Sequence, residues 1–382
     1  MLNKVNKEIT ADVFLKENYY LTHNPFKTEA CTDPNEYVER ENELALFESD
    51  LNLVKISGST GKRIIGRKGI GKTSLVNMYF EVARKRGLKT VYVTVPNSAR
   101  KFMQNLLIGT GNAETDQTKR DELRNKYAMY VRSNIYPETI FEKWSQLIDE
   151  LKPKPVIVAI DETENLPKLP HVMPLFNDYI FSHANDVMFL LCCLPSTYEK
   201  LRTTAFIDRF PTVIRLRSFT NEELLLLFEK RLNTARVKQA PNKYWPFTKK
   251  AVEKLLDHAE GVPRYLIDVA REALNMGVKL NATQINEKIV EKGAVRAERG
   301  YIIGVWESLN RSEKQTLMEI VAHGGKVKLD DLISTIKKDK SLIWRCVNEL
   351  VERGLVEKVG EAKKDVIYQL RVDPELVKDL IA

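Results

Sequence analysis

Apolar residues recur along this chain in two rhythms, and the rhythm changes with position. From Glu39 to about Leu53, Leu44, Leu46, Phe47 and Leu51 fall on one helical face. Lys62-Arg63-Ile64-Ile65-Gly66 reads as a short strand, and Lys72 to about Arg86 as a helix. The β-branched alternation over Thr90–Val95 predicts a second strand. Residues 97–135 are polar enough to read as an insertion, with Asp116–Arg132 a solvated helix or a loop. Tyr136–Leu151 reads as a helix closed by Lys152-Pro153. Pro155–Asp161, Val187–Leu194 and Thr212–Leu216 are apolar strands. Continuous apolar strands separated by helices predict an α/β fold with a largely parallel sheet covered on both faces.

After Leu216 the strand signals stop. Asn221–Thr234, Phe247–Ala259, Pro263–Met276 and Ala282–Ala294 all read as helices, which predicts a helical subdomain over 218–300. Ser312–Ala322, Leu329–Ile336 and Ser341–Arg353 then form three short amphipathic helices. Strands Leu355–Val359 and Val366–Leu370 follow, flanking Gly360-Glu361-Ala362-Lys363-Lys364. Three helices and a hairpin make the winged-helix order. The start is polar, with Asn24-Pro25-Phe26 and Asp33-Pro34-Asn35 as turn or extended signals. The expected plan is an extension over 1–35, an α/β domain over 36–217, a helical subdomain over 218–300 and a winged-helix domain over 301–382.

Composition narrows the class. A chain of 382 residues suits two or three domains. At 43% hydrophobic and 29% charged residues it is neither disordered, collagenous nor a disulfide scaffold. The longest apolar stretch, Val187–Leu194, is far short of the roughly 20 residues that span a bilayer, so no membrane partner is expected. The opening MLNKVNKEITADVF has no apolar h-region, so no secretory leader is expected. Cys31, Cys192, Cys193 and Cys346 lack metal-ligand spacing, and the five histidines form no cluster. A reducing cytoplasm is the expected compartment, nucleoid-associated if the chain binds DNA.

The net charge of +8 is unevenly placed. Residues 51–100 hold 11 basic residues and one acidic one, whereas 301–382 hold 14 of each sign. The basic excess therefore lies around the strongest motif, not in the C-terminal domain.

That motif is Gly66-Arg67-Lys68-Gly69-Ile70-Gly71-Lys72-Thr73, with Ser74 after it. It fits GxxxxGK[ST] between a predicted strand and a predicted helix, as a phosphate loop requires. The glycines let backbone N–H groups curl towards an anion, and the helix N-terminus adds its positive end. Lys72 is placed to reach the β- and γ-phosphates and Thr73 to ligate Mg²⁺, so ATP or ADP and Mg²⁺ are the expected cofactors. The apolar strand Val156–Ile160 ends in Asp161-Glu162. Asp161 would support the metal and Glu162 would polarise the attacking water. The plainer reading is a core strand followed by an acidic helix cap.

These residues resemble the AAA+ ATPases over about 36–300. Val38-Glu39-Arg40-Glu41-Asn42-Glu43-Leu44 is similar to a segment that packs near adenine in origin-recognition initiators and STAND ATPases, which implies that role for Arg40. Gly261-Val262-Pro263-Arg264 resembles the lid segment whose arginine reaches the γ-phosphate, implying Arg264. Phe219–Leu224 and Lys230–Leu232 are similar to the first lid helix of archaeal initiators, and a winged helix follows in the same order. At the usual polar sensor position stand Ser196 and Thr197, which serve equally as a hydroxyl cap of the helix Tyr198–Arg202. Asp208-Arg209-Phe210 resembles the end of a helix that carries an arginine finger, implying Arg209 and a homo-oligomer, against an ordinary surface ion pair.

In the winged helix, Ser341–Arg353 holds the recognition position. Lys340, Ser341, Arg345 and Asn348 are candidates to contact duplex DNA, and Lys363 and Lys364 to contact phosphates from the wing tip. The domain's zero net charge favours protein contacts instead. The resemblance implies an initiator-like ATP switch on duplex DNA, with a partner such as a helicase or a recombinase. The alternatives are a STAND-type signalling ATPase and a transposition-type ATPase regulator.

Overall fold

A computed structural model describes residues 11–57, 61–132, 134–169, 171–182, 186–359 and 366–381. The chain divides into two compact units. One comprises Pro25–Arg236 and Ala259–Ile267; the other comprises the described residues up to Asn24, Val237–His258, and Asp268 onwards.

The first unit is built on β1 (Lys62–Ile65), β2 (Thr90–Thr94), β3 (Val156–Asp161), β4 (Val187–Cys193) and β5 (Thr212–Arg215). These pair in the order β2-β3-β4-β1-β5, every pair parallel. The helices are α1 (Glu41–Ser57), α2 (Lys72–Lys85), α3 (Ala99–Asn112), α4 (Gln117–Arg132), α5 (Pro137–Glu150), α6 (Val172–Ser182), α7 (Pro195–Leu201) and α8 (Asn221–Thr234). Every residue of β3 and β4 is buried, as their unbroken apolar runs predict. Cys192 and Cys193 are small core residues of β4, buried with free thiols.

Alternation along each strand feeds two cores. Val91, Val93, Val158 and Leu191 pack with Phe102, Leu106, Trp144 and Phe176 of α3, α5 and α6. Ile157, Ala159, Leu190 and Cys192 pack on the other side with Leu75, Tyr79 and Phe80 of α2 and Phe47 of α1. The sheet is thus sandwiched between helical layers, and the ends of β1 and β3 carry the loops that make the site.

The polar reading of 97–135 is corrected. This stretch forms α3 and α4, and Phe102, Met103, Leu106 and Leu107 of α3 are fully or almost fully buried. Four apolar residues in six make a stripe wide enough to bury a helix whose remaining faces are polar. Residues that precede α1 pack against α8. Phe26 stacks on Phe228 of α8 at 5.2 Å, Glu36 pairs with Arg231, and Lys230 Nζ donates to the Tyr37 carbonyl at 2.8 Å.

The second unit contains α9 (Lys249–Ala259) up to His258, most of α10 (Pro263–Lys279), and α11 (Glu287–Ser308). It continues with α12 (Arg311–Ala322), β6 (Lys326–Lys328), α13 (Leu329–Ile336), α14 (Lys340–Glu352), β7 (Val356–Val359), β8 (Ile367–Leu370) and α15 (Pro374–Ile381). The antiparallel sheet β6-β8-β7 completes the winged-helix order, with β6 an addition to the strands read from sequence. Leu317, Leu332, Ile343, Val347 and Tyr368 form its core.

One predicted helix shifts. The expectation was Ala282–Ala294; α11 instead begins after Asn286, whose side chain caps the Ile289 N–H, and runs to Ser308. Gly300 costs an exposed helix roughly 1 kcal/mol. Burial of Ile302 and Val305 in the winged-helix core offsets that and carries the helix through the expected 300/301 boundary.

Candidate functional site

The phosphate loop leaves β1 at Gly66, whose N–H donates to the Cys193 carbonyl at 3.2 Å. A Cβ on Gly66 would stand 2.6 Å from Ile70 Cγ2, so the loop closes on the buried Ile70 side chain. Gly69 and Gly71 have φ of 79° and 103°, conformations that disfavour a side chain. Lys72 Nζ folds back to donate to the carbonyls of Gly66 (2.9 Å) and Arg67 (3.1 Å). Burial lowers the pKa of its ammonium, and the charge of Asp161 opposes that shift.

Thr73 and Asp161, 88 residues apart, meet here. The Thr73 hydroxyl donates to Asp161 Oδ2 at 2.7 Å. The Tyr92 hydroxyl donates to the same oxygen at 2.9 Å, and the Glu162 N–H donates to Oδ1 at 2.8 Å. Asp161 is only 3% exposed, and these donors compensate its lost hydration. The donor set, a hydroxyl and a buried carboxylate beside a loop of N–H groups and a lysine, is suited to a hard divalent cation with a phosphate chain.

Glu162 follows in a left-handed conformation (φ 51°), with its side chain exposed. The turn is held because the buried Thr163 hydroxyl donates to the Cys192 carbonyl at 2.7 Å. Glu164 lies two residues on. Burial raises its carboxyl pKa, and the charge of Lys72 opposes the shift.

Arg264 stands at the start of α10 with its side chain exposed, and its N–H donates to the Gly69 carbonyl at 3.4 Å. The structure therefore brings together Gly66, Lys72, Thr73, Asp161, Glu162 and Arg264. Arg67 and Lys68 are exposed on the loop, and the Arg67 guanidinium donates to Ser218 Oγ. The Ser74 hydroxyl accepts from the Cys31 N–H at 3.1 Å, which ties the N-terminal segment to α2.

Other candidates are engaged elsewhere. The buried Arg40 guanidinium donates to the Arg217 carbonyl at 2.8 Å and lies 5.0 Å from the centre of the Phe219 ring. Arg209 Nε donates to Asn177 Oδ1 of α6 at 2.8 Å. Ser196 and Thr197 sit inside the first turn of α7, which begins at Pro195 with Leu194 as its N-cap and no side-chain capping bond. The hydroxyl-cap reading is therefore corrected: proline opens this helix without a side-chain cap.

On the winged helix, Lys340, Ser341 and Arg345 are exposed on α14. Lys340 lies 3.6 Å from Asp330, the Ser341 hydroxyl donates to Asp339, and Asn348 Nδ2 donates to the Trp344 carbonyl at 2.8 Å. Lys363 and Lys364 lie outside the described residues. Sequence reasoning missed Trp344, which is 51% exposed on the same helix face. It also missed Tyr92, for which an out-of-phase aromatic in an alternating strand was the available signal.

Residues 63–201 match a family model described as an AAA domain. The class that fold and site define is the AAA+ P-loop fold. Within it the chain resembles archaeal origin-recognition proteins. The Aeropyrum pernix ORC1 protein in complex with DNA superposes with a TM-score of 0.68 and 15% identity, over 91% of this chain and 93% of that one. The Aeropyrum pernix ORC2 protein, in ADPNP–ADP complexes, gives 0.58 and 17% over 94% and 97%. An uncharacterized HTH-type transcriptional regulator of Methanocaldococcus jannaschii is 24% identical over 374 residues, 92% of this chain and 90% of that protein.

Proposed function

We propose that this chain is an ATP-binding and ATP-hydrolysing AAA+ switch that binds duplex DNA. The observation that carries the reading is the hydrogen bond from Thr73 to Asp161, which joins the two halves of the nucleotide motif into one site. Mg²⁺ bound with ATP would supply neutralisation of the phosphate charge. Thr73 and Asp161 would hold that cation, and Asp161 is already ordered by three donors. Lys72, with Gly66–Gly71 and Ser74, would cradle the β- and γ-phosphates. Glu162, exposed at the end of β3, would accept a proton from the attacking water.

Arg264 would report the γ-phosphate to the lid, because its backbone is hydrogen-bonded to the loop that holds the phosphates. Turnover is slow in this reading, since a switch spends its time in one nucleotide state. Arg40 acts through packing, as its guanidinium is occupied by Arg217 and Phe219. Arg209 would act as a finger only in a homo-oligomer, where it would exchange its bond to Asn177 for a neighbour's nucleotide. DNA contact would run through Lys340, Ser341, Arg345 and Asn348 on α14, with Lys363 and Lys364 adding phosphate contacts. The DNA bound by the ORC1 relative supports this reading. No helix among the described residues is long and apolar enough to cross a membrane.

A second reading, a STAND-like scaffold whose winged helix contacts protein, draws support from the exposed Trp344 and the balanced charge of the domain. Duplex DNA binding by fluorescence anisotropy, with ATP or ADP over a salt series, separates the two. Nucleotide-dependent binding that falls steeply with salt is expected of the DNA switch. No binding in either state supports the scaffold.

A further inference from the structure

We propose that Tyr92 is a positioning residue for Asp161: its hydroxyl fixes the rotation at which that carboxylate meets a divalent cation. The inference rests on the nucleotide-site reading above and deepens it.

Tyr92 lies on β2, an edge strand of the sheet. Its neighbours Val91 and Val93 turn into the core with α3 and α5, so alternation sends Tyr92 to the opposite face. In register it stands beside Ala159, while Thr94 stands beside Asp161. A methyl side chain at 159 leaves space for a tyrosine to lean along the strand, and the phenol reaches Asp161 Oδ2 at 2.9 Å. A tyrosine that is 41% exposed on an edge strand can satisfy its hydroxyl with water. This one donates to the carboxylate instead.

The three donors on Asp161 are not equivalent. The Glu162 N–H belongs to the next residue and moves with the same backbone. The Thr73 hydroxyl belongs to the phosphate loop, and its oxygen is the one a cation needs. Tyr92 alone among them comes from a separate strand and has no second duty. Once Thr73 turns to a cation, the Glu162 N–H still holds Oδ1, and the phenol is the remaining donor on Oδ2, the oxygen that faces Thr73.

Tyr92→Phe keeps the ring and removes only the O–H. The test uses the full chain, with a fluorescent ATP analogue titrated in EDTA and again over a Mg²⁺ series. Affinity in EDTA should match the wild type. The Mg²⁺ concentration for half-maximal binding should rise by about tenfold, the worth of one hydrogen bond to a charged group. Hydrolysis should fall mainly at low Mg²⁺ and recover when Mg²⁺ is in excess. An unchanged Mg²⁺ dependence would overturn the inference, as would an equal loss of affinity in EDTA and in Mg²⁺. A wild-type chain without nucleotide affinity would remove the nucleotide-site reading and this inference together. A wild-type chain with a normal Mg²⁺ response that Tyr92→Phe reproduces would remove the inference alone.

Discussion

Gly69 and Arg264 touch through their backbones: the Arg264 N–H donates to the Gly69 carbonyl at 3.4 Å, and a Cβ on Gly69 would stand 2.7 Å from the Arg264 Cβ. Val262 Cγ1 would be 3.1 Å from the same atom. The loop and the start of α10 are therefore packed too closely to admit a side chain at 69. Two physical demands fall on one residue, a φ of 79° and a steric gap.

Gly69→Ala meets both demands at once. The left-handed backbone alone costs about 1–2 kcal/mol for a residue with a Cβ, and the Arg264 segment must move as well. ATP affinity should drop by about tenfold or more, read by isothermal titration calorimetry. Equal affinity would show that the contact with the Arg264 segment does not shape the loop.

Lys72→Ala leaves the Gly66 and Arg67 carbonyls without their ammonium donor and removes the cation proposed to meet the phosphates. Nucleotide binding should be lost, and a retained tight complex would refute the phosphate-loop assignment. Glu162→Gln should behave differently. Its side chain is exposed and the Glu162 N–H bond to Asp161 survives the change. ATP should bind normally while hydrolysis falls by about a hundredfold or more. A normal rate of phosphate release would exclude Glu162 as the base.

Arg345 is exposed on α14, whose opposite face is fixed by the buried Ile343, Val347 and Leu350. Arg345→Ala should leave the fold intact and weaken duplex binding by roughly 1–3 kcal/mol if it reads a base. Anisotropy on several duplexes decides the matter. Unchanged affinity for all of them would favour a protein partner for this face.

Glu114 carries the clearest pH signal. Burial alone would raise its carboxyl pKa, but bonds from Lys89 Nζ (2.7 Å) and from the N–H groups of Asp116 and Thr115 outweigh that and hold it at about 2. Its folded pKa is thus below the ordinary value of 4.5, so the unfolded chain binds the proton more readily. The stability it confers is present above about pH 4.5 and is lost as the pH falls towards 2, in all about 3 kcal/mol. Urea melts of the wild type and Glu114→Gln should differ most near neutral pH and converge only as the pH approaches about 2. A gap that does not change with pH would show that the carboxylate charge is not what this site uses.

Much of the site was readable in the chain, for a physical reason. A phosphate loop must consist of glycines and a lysine between a strand and a helix. A central parallel strand must be an unbroken apolar run, and β3 with its terminal Asp161 is one. Those requirements are local, so local sequence carries them. The turn into α8 is similar: Thr220 and Glu223 form a capping box that spans four residues.

What the chain alone did not determine are the relationships between distant residues. Nothing in TVYVTV says that the Tyr92 hydroxyl reaches Asp161; that follows from strand order, which places β2 beside β3. The polar stretch 97–135 hid α3, because its burial depends on the faces that α5 and β2 offer it. Arg40 and Arg209 look like nucleotide arginines in sequence, yet the carbonyl of Arg217 and the amide of Asn177 engage them in the folded chain. A motif is written in neighbouring residues, whereas burial, hydrogen-bond partners and the competition for one carboxylate oxygen are set by chain segments that meet only on folding.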